Sequence, residues 1–461
     1  MKRTTGFLAF MTVAALASAG CGGRDDSSSS ATTAGSATTA AAAATTAAAA
    51  PTTAAVPPEA TDVGITPTEI HIGVVADVDT PLSPGLSQPL VAAVKAWGDQ
   101  VNANGGLAGR KVVITFYDSK LNPDEAVNAY TQACQNEFAT VGSGAFVLLN
   151  PDPIQTCKDK AGNAIGLPDV AALTISAGSA TSKSSYGIIQ AGQDFTAAQP
   201  TFTVTEYGWQ YYFGKIGGVS ATKQIGIDPG VPGIGPGILA AGQALTQAGG
   251  TFDGKVVYPD AAPQSEATPI IQKIKTDGVT WVASTSVAVA KLMAEARVQG
   301  LDMTKVLFSC TSQCQSPSFA SQNAAAVEGL YISQLLTPFD ETDVPGVKAY
   351  REGVTNEQDV SANGETAYAA ALAFEDLVNK IVEKDGVNGL TRQSLLDLLG
   401  THPTVDTQGI LDASEVLGTP SPCWVTVQVQ SGKFVRVDPE GVGKFTCDPK
   451  AIVSVTGNFT G

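Results

Sequence analysis

Histidine is nearly missing from this chain: His71 and His402 are the two in 461 residues. Neither stands beside a pair of cysteines, so the sequence offers no zinc-site spacing. It also lacks a G-x-S-x-G turn, an H-E-x-x-H helix and a Walker sequence. The common patterns for a serine nucleophile, a metalloprotease and a nucleotide hydrolase are therefore absent. No catalytic residue, metal ligand or cofactor is expected. Charge is scarce too, at 15% of residues, and Lys plus Arg (27) fall short of Asp plus Glu (43), leaving a net charge of −16. Nucleic acid needs clustered Lys and Arg and is excluded as a partner. The acidity alone fits an ordinary solvated surface. The apolar run at 7–16 is too short to span a bilayer as a stable helix.

That run has another reading. Lys2 and Arg3 precede it and Ala19-Gly20-Cys21 follows it, so 1–21 reads as an export signal. The last three residues resemble a bacterial lipobox, in which Cys21 is diacylated and becomes the mature N-terminus. Ser18 stands where such a box usually has Leu, and ordinary cleavage with Cys21 left free is the alternative. From 22 to 62 the chain is Ala, Thr and Ser with a few Pro. It has too few large apolar residues to build a core and reads as a disordered tether with a mean reach of about 35 Å. Six cysteines remain after Cys21: Cys134, Cys157, Cys310, Cys314, Cys423 and Cys447. An even number in an exported chain suggests disulfides, and six allow about fifteen connectivities. Pairing neighbours in sequence gives Cys134–Cys157, Cys310–Cys314 and Cys423–Cys447. The length itself predicts two domains.

The stretch 69–122 organises the rest. Ile70, Ile72 and Val74 alternate as in a buried strand, and a Pro/Gly/Ser loop follows. Leu90, Val94, Trp97 and Val101 then recur at helical spacing, with Ser87 as a cap and Pro89 in the first turn. Asn104-Gly105-Gly106 ends that helix, and 111–117 is the next strand. Strand, helix and strand of these lengths make a right-handed crossover, hence a parallel sheet. The pattern continues through a helix opening at Asn122-Pro123-Asp124-Glu125, a strand at 139–142 and another at 169–175. A second series runs from 224 to 309, with a helix expected from 238. Pro229, Pro232 and Pro236 interrupt the glycines at 230, 233, 235 and 237, so that stretch reads as a strand-end loop and not a dinucleotide loop. The aromatic cluster Phe202, Tyr207, Trp209, Tyr211, Tyr212 and Phe213 is expected to be core rather than ligand wall. A hairpin turns at Ser431-Gly432.

The run VNANGGLAGRKVVITFYDSKLNPDEAV, after a first strand ending in a Pro/Gly/Ser loop, resembles the type I periplasmic binding proteins. It is most similar to the leucine-binding-protein-like components of branched-chain amino acid ABC importers. The resemblance implies an α/β fold of two doubly wound parallel-sheet lobes joined by a multi-strand hinge, with the ligand cleft between them. Lobe 1 would be 65–192 with 335–398, and lobe 2 would be 193–334 with 399–461. Ligands in open α/β sheets bind at the carboxyl ends of strands, and two such lobes capture a ligand by closing on it. Ligand-binding positions are then Asp77, Ala145, Phe146, Ser176, Ala177, Gly178, Pro232, Ser284, Thr285 and Thr311. Two of these depart from the family pattern. Pro232 stands where the amino-acid binders have Tyr, and Thr311 where a Glu holds the ligand ammonium. Asp77 or Asp79 would have to supply that charge. The expectation is a monomeric, non-enzymatic, extracytoplasmic lipoprotein that hands a small organic ligand, of amino acid, amide or carboxylic or aromatic acid class, to ABC permease subunits. A sensor of the same fold, signalling in trans to a membrane receptor, is the alternative.

Overall fold

Alternation and helical spacing at the start of the chain become the first sheet. In the computed structural model, which describes residues 56–80, 84–190, 192–194, 201–231, 234–457 and 459, β1 (Glu69–Ala76) fully buries Ile70, Ile72 and Val74. α1 (Gln88–Ala103) turns Leu90, Val94, Trp97 and Val101 inward. Ser87 stands at its N-cap position, but its side chain makes no capping bond. Its backbone N–H donates instead to the Asp77 carbonyl at 2.9 Å. β2 (Lys111–Asp118) runs parallel to β1 with Ile114 beside Ile72. α2 (Pro123–Asn136) starts as expected: the Asn122 side chain accepts from the N–H groups of Asp124 and Glu125 at 2.9 and 3.2 Å. With β3 (Ala139–Val141), β4 (Asp169–Thr174) and β5 (Ser185–Gln190), these strands form a parallel sheet ordered β2-β1-β3-β4-β5.

The second half builds a larger sheet. Its elements are β6 (Gly192–Asp194), β7 (Thr201–Thr205), α3 (Trp209–Ile216), β8 (Lys223–Asp228), α4 (Ile234–Gln247), β9 (Thr251–Val257) and α5 (Thr268–Asp277). They continue with β10 (Trp281–Ser284), α6 (Val289–Val298), β11 (Leu307–Cys310) and β12 (Tyr331–Gln334). After the return come α7 (Pro345–Gly353), α8 (Ala362–Asp385), α9 (Arg392–Leu399), β13 (Cys423–Gln430), β14 (Lys433–Asp438), β15 (Thr446–Cys447) and β16 (Ile452–Thr456). The order is β14-β13-β12-β11-β10-β8-β9, parallel from β9 to β12 and antiparallel at β13 and β14. The β13–β14 turn falls at Ser431 and Gly432, both at positive φ (52° and 75°), as a tight hairpin requires. α8 returns to the first sheet and packs on α1 and β4. Both halves are thus α/β with parallel strands, the expected fold class.

Several details differ from the sequence reading. The aromatic stretch forms a strand and a short helix, β7 and α3, and Phe202, Trp209, Tyr212 and Phe213 are buried in a second core cluster, as expected, while Trp209 and Tyr212 also face a cavity. β7 joins an antiparallel sheet ordered β16-β7-β6, so the tail beyond 441 returns to the body. α4 begins at Ile234, four residues earlier than expected, with Gly235, Pro236 and Gly237 inside it. The last part of the expected tether lies on the globular body. Arg110 Nη2 donates to the Glu59 carbonyl at 2.9 Å, and Asp62 accepts from the N–H groups of Lys160 and Arg392 at 3.0 and 2.7 Å. The stretch 401–418, expected with the second lobe, touches β5 near its two ends. The Gly418 N–H donates to the Gly187 carbonyl at 3.2 Å, and the rings of His402 and Tyr186 lie 5.6 Å apart. All three expected disulfides are formed, Cys134–Cys157, Cys310–Cys314 and Cys423–Cys447. The expected signal peptide with Cys21, and most of the tether, lie outside the described residues.

Candidate ligand-binding cleft

The second sheet has two unlike faces, and the difference is written in its strands. On one face Ile225, Ile227, Val282, Phe308 and Ile332 are large and buried in the main core. On the other, the neighbours in register are Gly226, Ala283 and Ser309. Ser333 follows on β12, and larger groups (Gln224, Trp281, Leu307) stand nearer the strand starts. Small side chains in mid-strand leave room that the covering helices do not fill. A cavity of about 410 Å³ lies there, reaching from the strand ends at Ser284, Thr285 and Thr311 back to Gln224 and Trp281. α4 roofs it with Ile234, Gly237, Ile238 and Ala241, one helical face at i, i+3, i+4 and i+7. α3 adds Trp209 and Tyr212, and β7 adds Val204 and Thr205. Ile175 and Ile189 approach from the first sheet. That volume is in the range of small-molecule pockets.

Two polar tips of the aromatic wall are spent on neighbours. Trp281 Nε1–H donates to Ser309 Oγ at 2.8 Å. Tyr212 Oη and Ser333 Oγ lie 2.7 Å apart, and Ser333 Oγ lies 2.8 Å from Thr426 Oγ1. Burial pushes the Tyr212 hydroxyl well above its ordinary range, so it stays neutral. Trp209, Trp281 and Tyr212 meet edge to face, with Trp281 5.5 Å from Trp209 and 5.4 Å from Tyr212. Among the described residues no Asp, Glu, Lys or Arg lines the cavity. The nearby Asp228, at the end of β8, is paired with Lys255 at 2.7 Å.

The structure brings together three of the ten expected ligand positions: Ser284, Thr285 and Thr311 line the cavity mouth. Pro232 lies outside the described residues. The other six sit on the first sheet and do not line the cavity. Asp77 is fully buried and accepts from Ser119 Oγ at 2.7 Å and from the N–H groups of Leu121 and Phe146 at 2.6 and 2.9 Å. It ties three loops together and has no face toward the cleft. Burial raises its pKa despite those bonds. Ala145 is buried beneath α2, and the Phe146 ring packs on the main core. Ser176 caps the short turn Ala177–Thr181 through the Ser179 N–H at 3.3 Å. A Cβ on Gly178 would come within 2.5 Å of the Asn150 carbonyl oxygen, so that glycine serves close packing. Asp79 is exposed. Sequence reasoning missed Gln224, Trp281, Gly237 and Ala241, and it placed Trp209 and Tyr212 in the core alone. The signal for them was the run of small residues alternating with large ones in four successive strands.

Two open α/β units with an uncharged cavity at the strand ends of one define a ligand-binding protein of the hinged, two-lobed kind. The chain belongs to the periplasmic binding protein family, whose model matches residues 69–433. This family membership implies an extracytoplasmic location. Among solved structures the chain is similar to a fatty acid ABC transporter substrate-binding protein from Thermomonospora curvata (17% identity, 84% of this chain and 95% of that one, TM-score 0.58). It is also similar to a possible leucine/isoleucine/valine-binding protein from Rhodopirellula baltica (13%, 80% and 96%, TM-score 0.60). A third is a branched-chain amino acid transporter substrate-binding protein from Streptococcus pneumoniae in complex with isoleucine (13%, 80% and 100%, TM-score 0.56). At these identities the likeness is one of fold. No curated protein sequence matches. The family and these neighbours are binding proteins, not enzymes. Among the described residues, no helix is long and apolar enough to cross a membrane.

Proposed function

We propose that this chain is an extracytoplasmic solute-binding lipoprotein that takes up a small organic ligand between its two lobes and delivers it to an ABC importer. The observation that carries this reading is the cavity at the strand ends of the second sheet, with hydroxyls at its mouth, apolar and aromatic walls and no charged lining residue among those described. A zwitterionic amino acid held there would leave its ammonium without a counter-charge, at a high desolvation cost. Asp77 does not supply that charge, because its oxygens are engaged within lobe 1. The ligand is therefore neutral or mono-anionic, such as an amide or a carboxylic or aromatic acid. Cys21, once diacylated, holds the body at the membrane through the Ala/Thr/Ser tether, within reach of permease subunits. Calorimetric titration with leucine, isoleucine and valine tests the ligand class. No binding tighter than about millimolar is expected, and micromolar binding of any of the three overturns the assignment. In the same host, Cys21→Ala should move the protein from the membrane fraction to the soluble one; retention of the variant in the membrane fraction counts against the anchor.

A further inference from the structure

We propose that the cavity behind the cleft takes an aromatic ring end-on, and that the Gln224 amide at its inner end reads a polar substituent on the far side of that ring. This rests on the binding-protein reading above and names the ligand more closely.

The geometry supports insertion into lobe 2 rather than a pose across the cleft. From Ser284 at the mouth to Trp281 is three strand residues, about 10 Å at 3.3 Å per residue. That is the length of a ring with a short acidic arm. Along that path the floor is flat and small (Gly226, Ala283, Ser309), and Trp209, Tyr212 and Trp281 stand around it. The Tyr212 hydroxyl and the Trp281 indole N–H are bonded to Ser333 and Ser309, so these two side chains offer ring edges and faces. Aromatic guests gain from such offset and edge contacts beyond the area they bury.

Two amides line this wall: Gln334, whose Nε2 donates to the Leu336 carbonyl at 3.2 Å, and Gln224. Gln224 is 3% exposed and lines the inner end of the cavity. Its amide borders the open volume of the cavity, where the far end of an inserted ring would come. It has both a donor and an acceptor, so a phenolic hydroxyl satisfies it.

Gly237 sets the width. It lies on the cavity face of α4, between Ile234 and Ala241. A Cβ built on it meets nothing within 4 Å, whereas one on Gly226 or Gly242 would strike Ile238 or Phe252 at 2.3 Å. Glycine inside a helix costs stability relative to alanine, so the empty position is a concession to what the cavity holds.

The test uses p-hydroxyphenylpropionate, phenylpropionate, octanoate and leucine as probes, by calorimetry and by the fluorescence change of Trp209 and Trp281. The hydroxylated acid should bind roughly five-fold more tightly than phenylpropionate, the size of one net hydrogen bond, and Gln224→Leu should erase that preference. Gly237→Leu should weaken both aromatic acids at least ten-fold without lowering the melting temperature. Octanoate binding as tightly as the aromatic acids, or unchanged affinity in both variants, overturns the inference. So does failure of both aromatic acids to bind. Tight leucine binding indifferent to both substitutions would sink the inference while leaving the binding-protein reading standing.

Discussion

Glu415 shows how one buried acid couples this fold to pH. It is 6% exposed and accepts a hydrogen bond from Ser421 Oγ, yet burial outweighs that bond and pushes its pKa up to about 7. Asp169 is raised in the same way to about 6, and burial also raises Glu365, whose two oxygens are buried and unpartnered, well above its ordinary value. For an acid whose pKa is higher in the fold than in the unfolded chain, the fold holds the proton more tightly. Stability is then greatest below the unfolded value, 4.5 for Glu415, and is lost as pH rises toward the folded value. The melting temperature should fall between about pH 4.5 and 7. Glu415→Gln should melt with wild type at the acid end and above it at pH 8. Parallel curves for the two proteins would contradict this. Asp77 shows why single acids mislead a sequence reading: an aspartate at a strand end looks alike whether it faces a ligand or closes a loop. The difference rests on Ser119, Leu121 and Phe146, two of them donors from the backbone.

At the level of elements, the sequence revealed most where periodicity and caps agree. β1, α1, β2 and α2 follow from alternation, a helical stripe and the Asn122-Pro123 start. The disulfides follow from spacing. The β7–α3 region was not legible, because its strand pairs with β6 and with a tail more than 240 residues away, and aromatic residues suit core and pocket alike. The site was half legible: strand-end hydroxyls on lobe 2 were found, but the pocket behind them depends on volume left between sheet and helices. Arg392, at the start of α9, carries a prediction at this scale. Fully buried, it donates to the carbonyls of Phe138 at 3.2 Å, Lys158 at 2.5 Å and Cys134 at 2.8 Å, and also to that of Glu137. Burial lowers its pKa to about 10, which leaves it charged at neutral pH. It thus ties the end of α2, the Cys134–Cys157 loop and α9 into one corner. Arg392→Met orphans several buried acceptors and should cost more than about 3 kcal/mol in urea unfolding. A loss under about 1 kcal/mol would show that the corner stands without it.

Across the molecule, the first sheet supplies a half whose strand-end loops are tied together by Asp77, and the second supplies the cavity. Ile175 and Ile189 bring the first half to its mouth. Ser312 Oγ lies 3.3 Å from Asn363 Oδ1 at the start of α8, linking the loop closed by Cys310–Cys314 to the opposite half. Such a link can form and break as the halves close and open. On the proposed reading this cavity holds a molecule with no ammonium group. Mass spectrometry of what co-purifies with the protein from its native host, under non-denaturing conditions, tests it most directly. A near-stoichiometric neutral or mono-anionic compound carrying an aromatic ring is expected. A free amino acid recovered at that stoichiometry would contradict it.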